Sequence, residues 1–254
     1  MGDIINRLDI LFGEHQESLN YLVPRVDTFE HDSDGGAKSV LSLNYRFLSV
    51  CEFIIHRDKK KFQELLSKSA SLIAKNFKDY ASGKIKEYDY VKWSRYWKIL
   101  DSYAATDFSS GVIIAQHMGN LEADKKEKGF FPALSYSIKY MVLEDDQNLK
   151  LYSDKLSESL TQKNAKNYLS YAAIIQAYIN KDSKSMQKGF ENLLANHKQL
   201  CKGRGEYSDT EDEVIFLHGL GLLNLVRSRG FDVTMDDPLI PNDLLISVKK
   251  IFKE

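Results

Sequence analysis

The stretch KKKFQELLSKSASLIAKNFKDYA at residues 59–81 decides the fold class. Its apolar side chains recur every three or four residues, which places them on one face of a helix: Phe62, Leu65, Leu66, Ala70, Ile73, Phe77 and Tyr80. Asp58 precedes the stretch and can cap its first turn, and Gly83 follows it as a stop signal. The stretch therefore predicts an amphipathic helix that buries one face.

The same periodicity recurs along almost the whole chain. It predicts eleven helices, at residues 4–22, 38–56, 59–81, 89–104, 108–122, 131–143, 147–160, 164–180, 183–200, 209–229 and 242–252. Residues 231–235 alternate between apolar and polar side chains, but no partner strand is evident. We therefore predict an all-α fold, an irregular array of roughly ten or eleven antiparallel helices that is partly solenoid-like.

The predicted helices follow one another through short connections, which favours a single all-helical domain over residues 1–254. No fixed repeat period is present. The polar segment EADKKEKG at residues 122–129 interrupts the apolar pattern, so a soft division of the domain can fall near residues 122–130.

Composition bounds the class of protein. With 43% hydrophobic and 28% charged residues, the chain of 254 residues carries enough apolar surface to exclude general disorder. Its net charge of -1 argues against a nucleic-acid partner. The N-terminus does not resemble a signal peptide, and the longest apolar run, residues 214–226, is shorter than a bilayer span. We expect a cytoplasmic protein with no membrane partner.

The sequence nominates no complete catalytic or metal-binding motif. His31 and Asp32 form an HD dipeptide in a loop-like context, and Glu52 and His56 share a helix face without a second such pair. No strand precedes Gly219 and Gly221, as a dinucleotide-binding site would require. We therefore predict that these glycines allow two helices to approach closely. We therefore predict no catalytic residue, no cofactor and no metal, and a protein that is not an enzyme.

Cys51 and Cys201 lie in helix-like sequence, and neither belongs to a CxxC or Cys/His spacing, which argues against a zinc site. Two buried thiols are the expected state. The sequence does not decide whether a disulfide joins these two residues.

The segment EYSDTEDE at residues 206–213 holds five carboxylates and no cation. Negative charge there can cap the helix that follows, or it can steer a basic partner towards the protein. We predict that this segment binds the partner together with the acidic pair at 236–237. The predicted partner-binding residues are Glu206, Asp209, Glu211, Asp212, Glu213, Asp236 and Asp237.

A resemblance to a known family enters in the last third of the chain. FENLLANHK at 190–198 is followed by a polar stretch, then by FLHGLGLLNLVRSRG at 216–230 and by DDPLIPNDLL at 236–245. This order resembles the C-terminal signature of the immunity protein 49 family of bacterial polymorphic toxin systems, over residues 165–246. The resemblance implies an all-helical cytoplasmic antitoxin whose partner is a cognate toxin domain. It implies occlusion of the toxin's active site or of substrate access, and no catalytic residues.

Two other functions stay open. The first is an adaptor that resembles helical-repeat proteins and binds host proteins or peptides in a concave groove. The second is an enzyme on a helical scaffold, which predicts a deep pocket with convergent polar groups. The sequence leaves the oligomeric state undecided.

Overall fold

The computed structural model describes residues 2–26, 34–120 and 122–248, and this part of the chain is all-α with no β-strand. Ten α-helices lie within it: α1 Gly2–Val26, α2 Gly36–His56, α3 Lys59–Ala81, α4 Trp97–Ala104, α5 Phe108–His117, α6 Phe130–Leu143, α7 Asp146–Glu158, α8 Leu169–Ile179, α9 Ser183–Leu200 and α10 Leu217–Ser228. The predicted all-α fold of about ten or eleven helices is confirmed.

Helix α3 is central to the fold, and its predicted bounds are confirmed. The Asp58 side chain accepts a hydrogen bond of 2.8 Å from the backbone nitrogen of Lys61, so the predicted cap forms. The apolar face of α3 is buried, with Phe62, Leu66 and Phe77 fully enclosed. This face packs against α2, α4 and α5.

Sequence neighbours pack in pairs, with α1 against α2, α2 against α3, α6 against α7 and α8 against α9. A long-range pairing joins α4 to α10. A Cβ atom on Gly221 would stand 1.9 Å from the backbone oxygen of Leu100, so only glycine permits this approach. The predicted close approach of helices is confirmed at Gly221, whereas at Gly219 it is wrong, because the atoms nearest to an added Cβ belong to the Phe216 ring at the start of the same helix.

Residues 118–129 connect α5 to α6, and these two helices also pack directly. Asp124 is buried in this connection and accepts hydrogen bonds of 2.6 Å from the hydroxyls of Tyr88 and Tyr136. The backbone nitrogen of Asn120 donates a third, of 2.9 Å. A buried carboxylate thus holds the polar segment in place, and the main hydrophobic core contains residues from before and after it.

Two predicted helices begin later than expected, because their first turns are 3-10 helices. In the predicted helix 89–104, the carbonyl of Val91 accepts a hydrogen bond from the backbone nitrogen of Gly119, while the backbone nitrogen of Arg95 donates to Lys92 and not to Val91, so the α-helical ladder is interrupted here. Short 3-10 turns occupy Tyr88–Tyr90 and Trp93–Arg95 instead. The predicted helix 164–180 likewise begins with a 3-10 turn, after which Tyr168 leaves the helical region with φ −117° and ψ 5°.

The predicted helix 108–122 ends early, at His117. The backbone of Met118 is extended, and Gly119 follows with a left-handed φ of 74°, which ends α-helical hydrogen bonding.

Near the C-terminus, the predicted helix 242–252 is a 3-10 turn at Asn242–Leu244, after which residues 245–248 are not helical. Residues 249–254 lie outside the described residues, as do His31 and Asp32. Among the described residues, the segment 231–235 has no strand partner, and the side chain of Gln187 bonds its backbone at Thr234 instead.

Candidate functional site

A buried arginine organises the site. Arg46 lies on α2 with 6% of its side chain exposed, and it contacts three carboxylates. Its Nε is 3.3 Å from Asp101 of α4, its Nη2 is 3.2 Å from Asp212, and its Nη1 pairs with Glu211. A buried charge is tolerated when it is paired in this way. Burial alone would lower the pKa of Arg46, but attraction from the three carboxylates outweighs burial and raises it.

Lys98 of α4 extends this cluster. Its Nζ donates a hydrogen bond of 3.2 Å to the hydroxyl of Ser42 and lies 3.9 Å from Asp101. The same atom sits 4.0 Å from the ring centroid of Trp97. Burial lowers the pKa of Lys98 to about 7, although the carboxylate of Asp101 opposes this shift and the positive charge of Arg46 adds to it.

A cavity of about 350 Å³ opens beside the cluster, and we call it the aromatic cavity. Six rings from distant parts of the chain line it, together with two carboxylates, one guanidinium and one imidazole: Tyr96, Trp97, Phe131, Tyr168, Tyr171, Tyr207, Glu206, Asp212, Arg46 and His218. Glu206 is exposed whereas Tyr171 is 4% exposed, so the cavity runs from the surface into the interior. The hydroxyl of Tyr168 donates a hydrogen bond of 2.6 Å to Glu206 at the rim.

Two histidines stand at or beside the aromatic cavity. His218 lines it from α10, and its Nε2 atom is buried without a hydrogen-bond partner among the described residues. His197 of α9 places Nε2 2.7 Å from the backbone oxygen of Asp212 and stacks on Phe216 at 3.8 Å. Burial lowers the pKa of both imidazoles, so both are neutral at pH 7.

No family model, no curated protein and no solved structure matches this chain.

The chemistry available to the aromatic cavity is recognition by ring faces, carboxylates and a neutral imidazole. Within residues 2–26, 34–120 and 122–248, no group of three or more His, Cys, Asp or Glu side chains is arranged to hold a metal ion. The same part of the chain contains no helix that is both long enough and apolar enough to cross a bilayer.

The predicted acidic segment divides into inward and outward side chains. Glu211 and Asp212 turn inward to Arg46, and Asp212 has only 14% of its side chain exposed. Asp209 points outward with 80% exposed and pairs with Arg7 of α1 at 2.8 Å. Glu213 accepts a hydrogen bond from the backbone nitrogen of Asp209, and Glu206 lies at the cavity rim. The five carboxylates therefore do not form one continuous surface.

The interpretation of this segment as the start and cap of a helix at 209–229 is wrong. Residues Glu211–Glu213 form an isolated 3-10 turn, and α10 begins only at Leu217. Phe216 occupies the cap position without a side-chain hydrogen bond, and its backbone nitrogen donates to Leu239 at 2.7 Å. The turn is fixed by its carboxylates on Arg46 rather than by the helix that follows.

Asp236 and Asp237, the second part of the predicted surface, also differ from each other. Asp236 is exposed, whereas Asp237 is largely covered and pairs with Lys198 of α9. Lys198 directly follows His197, which contacts Asp212. Both acidic segments are thus attached to the C-terminal end of α9.

The two cysteines are free thiols in the structure, so the disulfide that the sequence left open is not formed there. Cys51 is buried against α1, with its sulfur 3.8 Å from the carbonyl oxygen of Leu8. Burial raises the pKa of Cys51 to about 12, with a further contribution from Glu211. The thiol form is therefore favoured at neutral pH.

Sequence reasoning missed Arg46, Lys98 and the aromatic cavity. A signal was present at Arg46, since a charged residue stands between the apolar residues of NYRFLSV at 44–50. An ionisable residue at a buried helical position indicates a paired or functional group. Nothing local indicated the aromatic cavity, because its rings lie between positions 96 and 207.

Proposed function

We propose that this protein is a cytoplasmic immunity protein that binds a cognate toxin domain and blocks its active site or its access to substrate. The supporting observation is the loop after α9, which is anchored from within while it presents carboxylates outward. Arg46 and His197 hold this loop at Asp212, whereas Glu206 and Asp209 remain exposed. A loop that is already ordered loses less entropy when it binds.

The charge of this surface suggests the kind of partner. Exposed carboxylates attract a basic surface and accelerate association with it. A toxin that acts on nucleic acid or nucleotides carries such a basic surface around its active site. Neutralisation would be stoichiometric, with roughly 800 Å² buried on each partner. The resemblance over residues 165–246 supports the same function, since this part includes α9, the loop and α10.

The test is co-expression with the C-terminal domain encoded by the neighbouring reading frame, with growth rescue and co-purification as readouts. The matched variants are Glu206→Lys with Asp209→Lys, and Asp154→Lys on the exposed surface of α7 as the control. We expect rescue and a one-to-one complex, with slower association in the loop variant alone. Toxicity without rescue, and no complex, would refute the proposal for that pair.

One observation favours a second candidate, an enzyme on a helical scaffold. The aromatic cavity places His218, whose Nε2 has no hydrogen-bond partner among the described residues, beside the cluster that contains Lys98. An enzyme that reverses the toxin's damage would rescue growth without forming a complex. Rescue that is lost in His218→Gln while no complex is detected would support this candidate.

The adaptor alternative receives less support. Its helices would form regular pairs, whereas the described helices range from 8 to 25 residues and α4 packs against α10 across the chain.

A further inference from the structure

The walls of the aromatic cavity are suited to a positively charged group. Its six rings come from the start of α4, from α6, from the start of α8 and from the loop after α9. Tyr168 packs edge-to-face on Phe131 with 5.1 Å between ring centroids, and Tyr171 stacks beside it at 6.4 Å. The faces of aromatic rings carry negative potential and attract cations that have shed part of their water.

The charges around the aromatic cavity favour the same class of ligand. Arg46 and Lys98 pair with three carboxylates, Asp101, Glu211 and Asp212, and Glu206 adds a fourth at the cavity rim, so the formal charge of these six groups is −2. Arg46 is already committed to three of the four carboxylates. The two that line the cavity, Glu206 and Asp212, leave it with an excess of negative charge. An anion would meet repulsion there, whereas a cation would be attracted.

His218 supplies a hydrogen-bonding atom that the fold itself does not use. Its Nε2 is buried beside the cavity without a partner among the described residues. A neutral imidazole protonated on Nδ1 accepts a hydrogen bond at Nε2. An N–H group of a bound cation would satisfy this atom, and buried polar atoms without partners are rare in folded proteins.

Size restricts the ligand further. A volume of about 350 Å³ lies at the lower end of the range for small-molecule sites. It accommodates a guanidinium or alkylammonium group with a short aliphatic stem, and it is too small for a peptide segment.

We propose that the aromatic cavity binds an organic cation, an alkylammonium or guanidinium group. Such a group is carried either by a free small molecule or by a lysine or arginine side chain of a protein partner. The ring faces hold the cation, Glu206 at the rim and Asp212 in the wall balance its charge, and His218 accepts one of its hydrogen bonds. This site does not depend on the partner being a toxin.

The first experiment is calorimetric titration of the full chain with n-butylguanidinium, and with n-butylurea as the neutral analogue of the same shape. We expect saturable binding of the cation and at least tenfold weaker binding of the urea. Glu206→Gln removes the rim charge but keeps an acceptor for Tyr168, so it should weaken cation binding at least fivefold. Asp154→Asn on α7 is the control and should stay within twofold. Absence of binding, or equal binding of cation and urea, would overturn the proposal.

A second measurement separates the two sources of the cation. The peptide Ac-Gly-Arg-Gly-NH2 presents the same guanidinium on a backbone, with the citrulline peptide as its control. Binding of both n-butylguanidinium and the arginine peptide assigns the site to side chains of a protein partner. Binding of n-butylguanidinium alone assigns it to a free small molecule. None of these titrations uses the toxin, so a failed rescue experiment leaves their outcome unaffected.

Discussion

Arg46 and Asp212 stand 166 positions apart in the chain and form an ion pair of 3.2 Å between Nη2 and Oδ1. This contact ties the turn before α10 to α2, and it divides a run of neighbouring carboxylates into inward and outward groups. It also sets one wall of the aromatic cavity, because both residues line it.

Replacement of Arg46 should destabilise the fold strongly. In Arg46→Met, three carboxylates lose their common partner within the protein, and removal of one member of a buried pair costs about 3–5 kcal/mol. Urea denaturation monitored by circular dichroism measures the change. Asp209→Asn, at an exposed ion pair, is the control and should cost no more than about 1 kcal/mol. Equal effects of the two substitutions would contradict this assignment of the ion cluster.

Gly221→Ala should force α4 and α10 apart. The added methyl would lie 1.9 Å from the backbone oxygen of Leu100, which no side-chain rotation can relieve. Overpacking of this kind costs about 1–3 kcal/mol or more. Gly13→Ala in α1, where nothing lies within 4 Å of the new Cβ, should instead stabilise by about 0.5–1 kcal/mol. Thermal denaturation of the two variants should therefore shift in opposite directions, and a shift in the same direction would refute the argument.

Mild acid should destabilise the protein through His197 and His218. Burial lowers the pKa of both below 6.5, even though Asp212 opposes the shift for each and Asp101 opposes it for His218. The unfolded chain therefore takes up protons first as the pH falls through 6.5, which favours unfolding. The free energy of unfolding, measured in urea at pH 7.5, 6.5 and 5.5, should fall with pH.

The loss of stability between pH 7.5 and 5.5 should be smaller in His218→Gln than in the original protein. Arg46 and Lys98 also face His218, and both disfavour its protonation in the folded state. His56→Gln, at an exposed histidine outside the aromatic cavity, is the control for the substitution itself. Identical slopes for the original protein and His218→Gln would remove His218 from this account.

Asp124→Asn should loosen the connection between α5 and α6. The carboxylate accepts two tyrosine hydroxyls and one backbone N–H, whereas an amide offers a single acceptor oxygen. Loss of hydrogen bonds to a buried charged group costs about 1.5–3 kcal/mol each. Chemical denaturation measures the total, and Tyr136→Phe tests one bond alone. A cost below about 0.5 kcal/mol for Asp124→Asn would show that this carboxylate does not hold the segment.

Local features of the sequence predicted the helices well where start and stop signals coincided with apolar periodicity. The bounds of α3 followed from Asp58, from the apolar face that begins at Phe62, and from Gly83. The prediction of helix bounds failed where a backbone group forms its hydrogen bond with a residue that is distant in the chain. The backbone carbonyl of Val91 accepts a hydrogen bond from the backbone nitrogen of Gly119, and no property of the residues around Val91 predicts this partner.

The sequence by itself determined that this protein is helical and which helix faces are buried, because helix formation and amphipathicity depend on residues three and four positions apart. It also showed that residues 206–213 are acidic. Only the tertiary structure decided that Glu211 and Asp212 turn inward to Arg46 while Asp209 faces solvent. It alone assembled the six rings of the aromatic cavity. The physical reason is that ion pairing and ring packing act between side chains close in space, and their positions along the chain do not encode which of them meet.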